Sequence, residues 1–271
     1  MENRYASAPE HVAGMKTEEL RARFLVEDLF VDGEMKFVYS HYDRIIMAGA
    51  VPSSGTLTMP TPEALHTEHF FDNREAGIIN IGQDATVTVD GTEYTVPRKG
   101  LLYIGRGTKD VAFEAPGRFY LYSAPAHTQY PTTLVGPEDG NVKELGSKEA
   151  SNERKLRQLL FNGDVKSCQV MMGVTTLEAG SMWNTMPAHT HDRRMESYLY
   201  FEVADDARVV HLMGEPSETR HLIVGNEQGV ISPSWSIHSG VGTKSYSFIW
   251  AMAGENQAFT DMDAAPITDM R

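Results

Sequence analysis

Past residue 25, alternation of apolar and polar residues at period two dominates the chain. Thr86-Val87-Thr88-Val89 and Glu93-Tyr94-Thr95-Val96 flank Asp90-Gly91, the dipeptide that a two-residue type I′ hairpin favours because glycine tolerates positive φ. Further short strands are predicted at 77–81, 101–104, 111–113 and 119–122, separated by Gly or Pro turns. Strand signals resume at 169–172, 197–203, 208–213, 221–224 and 246–252. Helical periodicity is confined to the N-terminal region, where Thr17 can cap, Glu18 and Glu19 suit the first turn, and Leu20, Phe24 and Leu25 follow at helical spacing. The segment 152–161 fits helix or strand.

Between Pro131 and Ser151 the chain turns polar and contains Pro137-Glu138-Asp139-Gly140-Asn141, a composition suited to an interdomain linker. Each half carries its own set of short strands, a weak internal duplication of pattern rather than of residues. With 271 residues, two domains can each bury a core. The expected architecture is all-β: two related barrels, residues 1–150 and 151–271, with a short N-terminal helix.

Composition narrows the function. A formal net charge of -13, without a basic block, argues against nucleic acid as a partner. No run approaches the ~18 apolar residues of a membrane span, and the opening residues lack a signal-peptide pattern, so a cytoplasmic protein is expected. The single cysteine, Cys168, reads as a small core residue beside Val170 and Met171. No phosphate loop with a Walker lysine and no elbow around a nucleophilic serine is present. An acidic protein that binds an anionic small molecule needs a metal ion or local arginines to reverse the field in its site.

The strongest chemical constellation is His189-Thr190-His191, then Glu196, then His238 after Pro233. Residues two apart on a strand share a face, so His189 and His191 can present two imidazoles to one ion. Glu196 is an odd number of residues from His191 and needs a loop or bulge between, for which Asp192-Arg193-Arg194 is suited. Ten histidines in 271 residues give about 0.4 chance His-x-His pairs, so the pair alone decides little. A carboxylate at short range and a third histidine behind a proline turn reproduce the shape of the cupin metal motif, whose ligands suit Zn, Mn, Fe or Ni. Tyr198 and Tyr200 share the face of Glu196. Arg193, Arg194, Arg220 and Lys244 are candidates to clamp a substrate carboxylate. His211, His221 and Glu255 are candidates for a general base, among which the sequence does not choose. His66 and His69, three apart, fit a surface or pocket rim rather than a second metal.

The segments 183–196 (Trp-Asn-Thr-Met-Pro-Ala-His-Thr-His-Asp-Arg-Arg-Met-Glu) and 231–244, together with 39–46, 77–82, 125–127 and 254–257, closely resemble the bacterial 5-keto-4-deoxyuronate isomerase family, over nearly the whole chain. The resemblance implies two cupin-like β-barrel (jelly-roll) domains and a homohexamer. It also implies one zinc per subunit on the residues matching His189, His191, Glu196 and His238. The implied activity is a zinc-dependent ketol-isomerisation of 5-dehydro-4-deoxy-D-glucuronate to 3-deoxy-D-glycero-2,5-hexodiulosonate in the breakdown of pectin and related uronates. Two rival readings are a non-enzymatic sugar-acid binding cupin, separated by turnover, and an iron-dependent dioxygenase, separated by oxygen consumption.

Overall fold

In the computed structural model, which describes residues 1–161, 163 and 165–271, the chain forms two compact units. The first comprises residues 1–3, 28–141 and 157–172, the second residues 4–27, 142–156 and 173–271. The cut expected at residue 150 is therefore replaced by an exchange of segments. The N-terminal helix and the strand after it belong with the second unit, because Leu25 and Val26 pair with Val230 and Gly229, and Leu20 and Phe24 are buried. The helix runs Thr17–Phe24 with Lys16, not Thr17, at its N-cap. The Glu19 carboxylate accepts from the Lys16 amide at 3.3 Å, satisfying a donor that the helix leaves unpaired.

Each unit stacks a large sheet against a four-stranded one, and the strand orders repeat. In the first unit Ile46–Ala50, Phe119–Pro125, Arg74–Asn80 and Leu101–Ile104 lie side by side, and Thr56–Thr58, Val111–Glu114, Ala85–Val89 and Thr92–Val96 form the second sheet. In the second unit Met171–Leu177, Ser247–Gly254, Arg194–Phe201 and Gln228–Ser232 take the same order, opposite Trp183–Asn184, Ser239–Gly242, Val209–Glu215 and Glu218–Val224. The duplication suspected from pattern is thus a duplication of topology, and the all-β expectation holds. The Asp90-Gly91 hairpin forms as predicted, with φ of 47° and 78°, the left-handed region a type I′ turn requires. The ambiguous 152–161 segment contains the strand Arg154–Leu160, and the polar 131–151 segment contributes the strands Thr133–Val135 and Asn141–Leu145. Among the described residues, no helix is long and apolar enough to cross a membrane.

The lumens of the two units differ. In the first, Phe37, Ile46, Phe70, Phe71, Ala76, Ile78, Phe113 and Phe119 close into one apolar cluster. Arg74 opens its strand as Arg194 opens the equivalent one, and both are buried. Two residues on, where the second unit has Glu196, the first has Ala76. The same alternation therefore fills one lumen with hydrocarbon and equips the other with polar groups. Buried Glu75 points elsewhere: its carboxylate accepts from the amides of Cys168, Gln169 and Val170 at 2.7–2.9 Å and from the Tyr103 hydroxyl at 2.8 Å. Cys168 is a half-buried free thiol whose pKa burial raises, consistent with a structural role.

Candidate metal centre

Three pieces of the second unit deliver the four candidate ligands. Ala188–Thr190 is a short strand paired with Asp263–Ala265, His189 standing opposite Ala264. His191 follows, and a turn at 192–193 leads into Arg194–Phe201, the loop that the odd spacing to Glu196 demanded. Glu196 sits in the middle of its sheet, opposite Ser232 and Met252. His238 arrives from a turn in which the Ser236 amide donates to Pro233 O at 3.0 Å. That turn is pinned from behind, since the Ile237 amide donates to Gly214 O at 3.0 Å and the Gly214 amide to Ser236 Oγ at 2.9 Å.

The donor atoms of His189, His191, Glu196 and His238 all lie within 4.8 Å of one another. His191 Nε2 and His238 Nε2 each stand 3.1 Å from Glu196 Oε2, and His238 Nε2 stands 3.1 Å from His189 Nε2. Four tetrahedral ligands at 2.0–2.1 Å from a zinc-sized ion have edges of about 3.3 Å, so the spacing fits one cation. The tautomers point the same way. His191 Nδ1 is 2.9 Å from Arg194 O and His238 Nδ1 is 3.3 Å from Ser236 O. Each ring in its neutral form gives that nitrogen the proton and turns a bare Nε2 toward the cluster. Lone pairs then converge on one point, an arrangement a cation relieves. Protonating His189 instead is disfavoured, because burial first, and the neighbouring His238 next, lower its pKa to about 3. Burial alone would raise the Glu196 carboxyl, but the contacts with His238 and His191 outweigh it and hold the group well below the usual range. Among the described residues, no other group of histidines, cysteines or carboxylates converges in this way.

A cavity of about 320 Å³ opens beside His189 and Glu196, walled by Leu156, Met186, Phe248, Trp250 and Met262, with Thr175, Thr185, Tyr198 and Arg154 as polar lining. The Tyr198 hydroxyl stands 2.9 Å from Thr185 Oγ1 and donates to His238 O at 3.3 Å. Burial holds its pKa well above the ordinary phenol value, so it stays a donor. Arg154 and Leu156 share a strand face at period two, a signal that the ambiguity of their segment concealed.

The four basic candidates lie elsewhere. Arg194 is buried behind the ligands: its Nε and Nη2 donate to the Asp261 carboxylate at 3.0–3.3 Å, and its Nη1 lies 4.0 Å from Glu196 Oε2. Together with its carbonyl on His191, it orients ligands and does not line the cavity. Arg193 is exposed, 3.9 Å from Glu255. Arg220 pairs with Glu218 at 3.2 Å and donates to Ala13 O. Lys244 pairs with Asp206 at 2.7 Å on the surface. None of the four lines the cavity. His221 and Glu255 are exposed, whereas His211 is a core histidine, its Nδ1 2.7 Å from the Tyr200 hydroxyl. His66 is exposed and His69 half-buried.

The similarities of the chain follow this geometry. It is 56% identical to a protein of Kineococcus radiotolerans and 54% identical to one of Lachnoclostridium phytofermentans, and in both cases the match covers the whole of both chains. Both relatives are named 4-deoxy-L-threo-5-hexosulose-uronate ketol-isomerase. Among solved structures, an IolB-like protein from Salmonella typhimurium superposes with a TM-score of 0.69 at 16% identity, covering 89% of this chain and 96% of that one. An oxalate decarboxylase superposes with a TM-score of 0.59 at 13% identity, covering 89% and 79%. These two likenesses speak for the cupin fold alone. The KduI/IolB family model matches residues 24–267, and the chain belongs to that family, among relatives named as 4-deoxy-L-threo-5-hexosulose-uronate ketol-isomerases.

Proposed function

We propose that this protein is a zinc-dependent ketol-isomerase that converts 5-dehydro-4-deoxy-D-glucuronate to 3-deoxy-D-glycero-2,5-hexodiulosonate in the cytoplasmic breakdown of pectin-derived uronates, acting as a homohexamer. The observation that carries the reading is the cluster His189, His191, Glu196 and His238 beside a cavity, in a chain whose full-length relatives bear the isomerase name. Three neutral imidazoles and one carboxylate would hold the ion, which when bound supplies Lewis acidity to neighbouring carbonyl and hydroxyl oxygens.

The reaction moves the carbonyl from C1 to C2 within one molecule. A proton leaves C2, one is delivered to C1, and the electron count of the substrate is unchanged, so no nicotinamide, flavin or oxygen is consumed. The chain's own residues prepare the site for that transfer. Phe248, Trp250, Leu156 and Met186 keep water from the migrating proton. The Tyr198 hydroxyl, un-ionised near neutrality and held between Thr185 Oγ1 and His238 O, braces the backbone that carries His238 beside the cavity. Arg194 and Asp261 keep His191 and Glu196 in place from behind.

NMR of the product formed by purified protein without added redox cofactor tests the proposal. A ketone at C2 in place of the C1 aldehyde is expected. A carboxylic acid at C1, or oxygen uptake in step with turnover, would sink it. Metal analysis and light scattering test the zinc and the hexamer separately.

A further inference from the structure

The proposed substrate carries its carboxylate at C6, the far end of a six-carbon chain from the reacting C1 and C2. Such a group needs a partner inside the cavity, and none of the four cations singled out by sequence stands there. Arg154 does, at the head of the strand Arg154–Leu160 and half-buried. Apart from His189, it is the one basic side chain lining the cavity among the described residues.

Three observations set Arg154 apart. Its Nη1 donates to Asn152 O at 2.9 Å, and among the described residues no carboxylate lies within 4.0 Å of it. Glu144, Glu153 and Glu178 line a neighbouring polar depression that Arg154 also borders. On the lumen side the guanidinium lies near the phenol groups of Tyr198 and Tyr246, which burial keeps un-ionised. Burial is the larger influence and lowers its pKa, as expected of a cation taken out of water without an anion to balance it. A desolvated, unpaired guanidinium above an apolar wall is a poor structural element and a good anion receptor, because its planar fork matches a carboxylate with two parallel hydrogen bonds.

We propose that Arg154 receives the carboxylate of the substrate, and so determines the selectivity of the site for sugar acids over neutral sugars. The inference rests on the reading of the cavity as the isomerase site. The cavity volume of about 320 Å³ is at the lower end of the range for small-molecule sites, about 300–1,000 Å³, and suits one open-chain hexose derivative held at both ends. Because the carboxylate keeps its charge and place throughout the reaction, the contact acts equally on ground and transition states and appears in KM rather than kcat.

The experiment compares the wild-type holoenzyme with Arg154→Met, Arg154→Lys and the exposed-site control Arg193→Met. Folding is checked by circular dichroism. For the keto-uronate, Arg154→Met is expected to raise KM about 10- to 100-fold, the range of a charge-assisted hydrogen-bonded pair, with kcat changed less than about threefold. Arg154→Lys should recover part of the loss, and Arg193→Met should match the wild type. Independently of turnover, calorimetry with a 3-deoxy-2-keto-hexonate and its primary amide should show the wild type preferring the acid at least about tenfold. Arg154→Met should lose that preference, while Arg154→Lys, the milder substitution, keeps a reduced one. An unchanged KM in Arg154→Met, an acid-to-amide ratio equal in all variants, or no acid preference in the wild type would overturn the assignment. A wild type that prefers the acid through Arg154 but turns nothing over would remove the isomerase reading and leave the carboxylate site standing.

Discussion

Replacing His211 with phenylalanine should flatten the acid side of the stability profile of the second unit. His211 is fully buried, its Nδ1 lies 2.7 Å from the Tyr200 hydroxyl, and its Nε2 meets no partner among the described residues. Burial, and then the neighbouring His238, lower its pKa to about 3, so the native ring is neutral, whereas in the unfolded chain it titrates near 6.5. Between those two values the unfolded state binds a proton that the native state refuses. Stability is therefore intact above about pH 6.5 and is lost as the pH falls toward 3, by about 1.4 kcal/mol per unit for this ring. From pH 6.5 to pH 5 the loss is about 2 kcal/mol. His189, also lowered to about 3 by burial and His238, contributes a parallel loss that the variant retains. Phenylalanine takes one partner from the Tyr200 hydroxyl, a cost of about 1 kcal/mol that does not depend on pH. The assay is urea unfolding followed by tryptophan fluorescence in excess chelator, so that the pH dependence of metal binding does not enter. Trp183, Trp235 and Trp250 all lie in the second unit, which makes the signal specific to it. The variant, about 1 kcal/mol less stable than the wild type at pH 6.5, should become about 1 kcal/mol more stable at pH 5, a relative change of about 2 kcal/mol. A deficit constant within about 0.5 kcal/mol over that range would refute the neutral, desolvated His211.

Strong chelation should abolish turnover while far-UV circular dichroism stays native, because each unit has a substantial core; the melting temperature should still fall, since a native-state ligand has been removed. Asp261→Asn should cost about 1.5–3 kcal/mol by removing the charge that the Nε and Nη2 of buried Arg194 face, and should weaken metal binding about 10- to 100-fold because Arg194 supports His191 and Glu196; competition with a chromogenic chelator measures the latter. Glu75→Ala should destabilise the first unit by about 3–5 kcal/mol, read as faster amide exchange at Cys168, Gln169 and Val170, whose donors it orphans.

The amino-acid sequence by itself determined most of what is local. Period-two alternation and Asp90-Gly91 specified strands and a hairpin, since side-chain direction and positive φ are properties of a few consecutive residues. The cluster of candidate ligands was also legible, because three of its four members, His189, His191 and Glu196, lie within eight residues and the fourth is marked by a proline turn. Only the tertiary structure decided what depends on burial and on segments distant in sequence. Arg193 and Arg194 are neighbours of the same charge, yet one is exposed and the other is locked to Asp261, 67 residues away. Arg193 lies in the turn before the strand and points to solvent, whereas Arg194 opens the strand on the face that becomes inside once the sheets stack. Arg154 escaped notice because nothing in its own segment says that it borders a lumen closed by Phe248 and Trp250 from the far end of the chain. The division into units also required the fold: residues 4–27 and 157–172 each join the unit expected to exclude them. Strand pairing satisfies backbone hydrogen bonds wherever an edge is open, without regard to the order in which the chain supplies the strands.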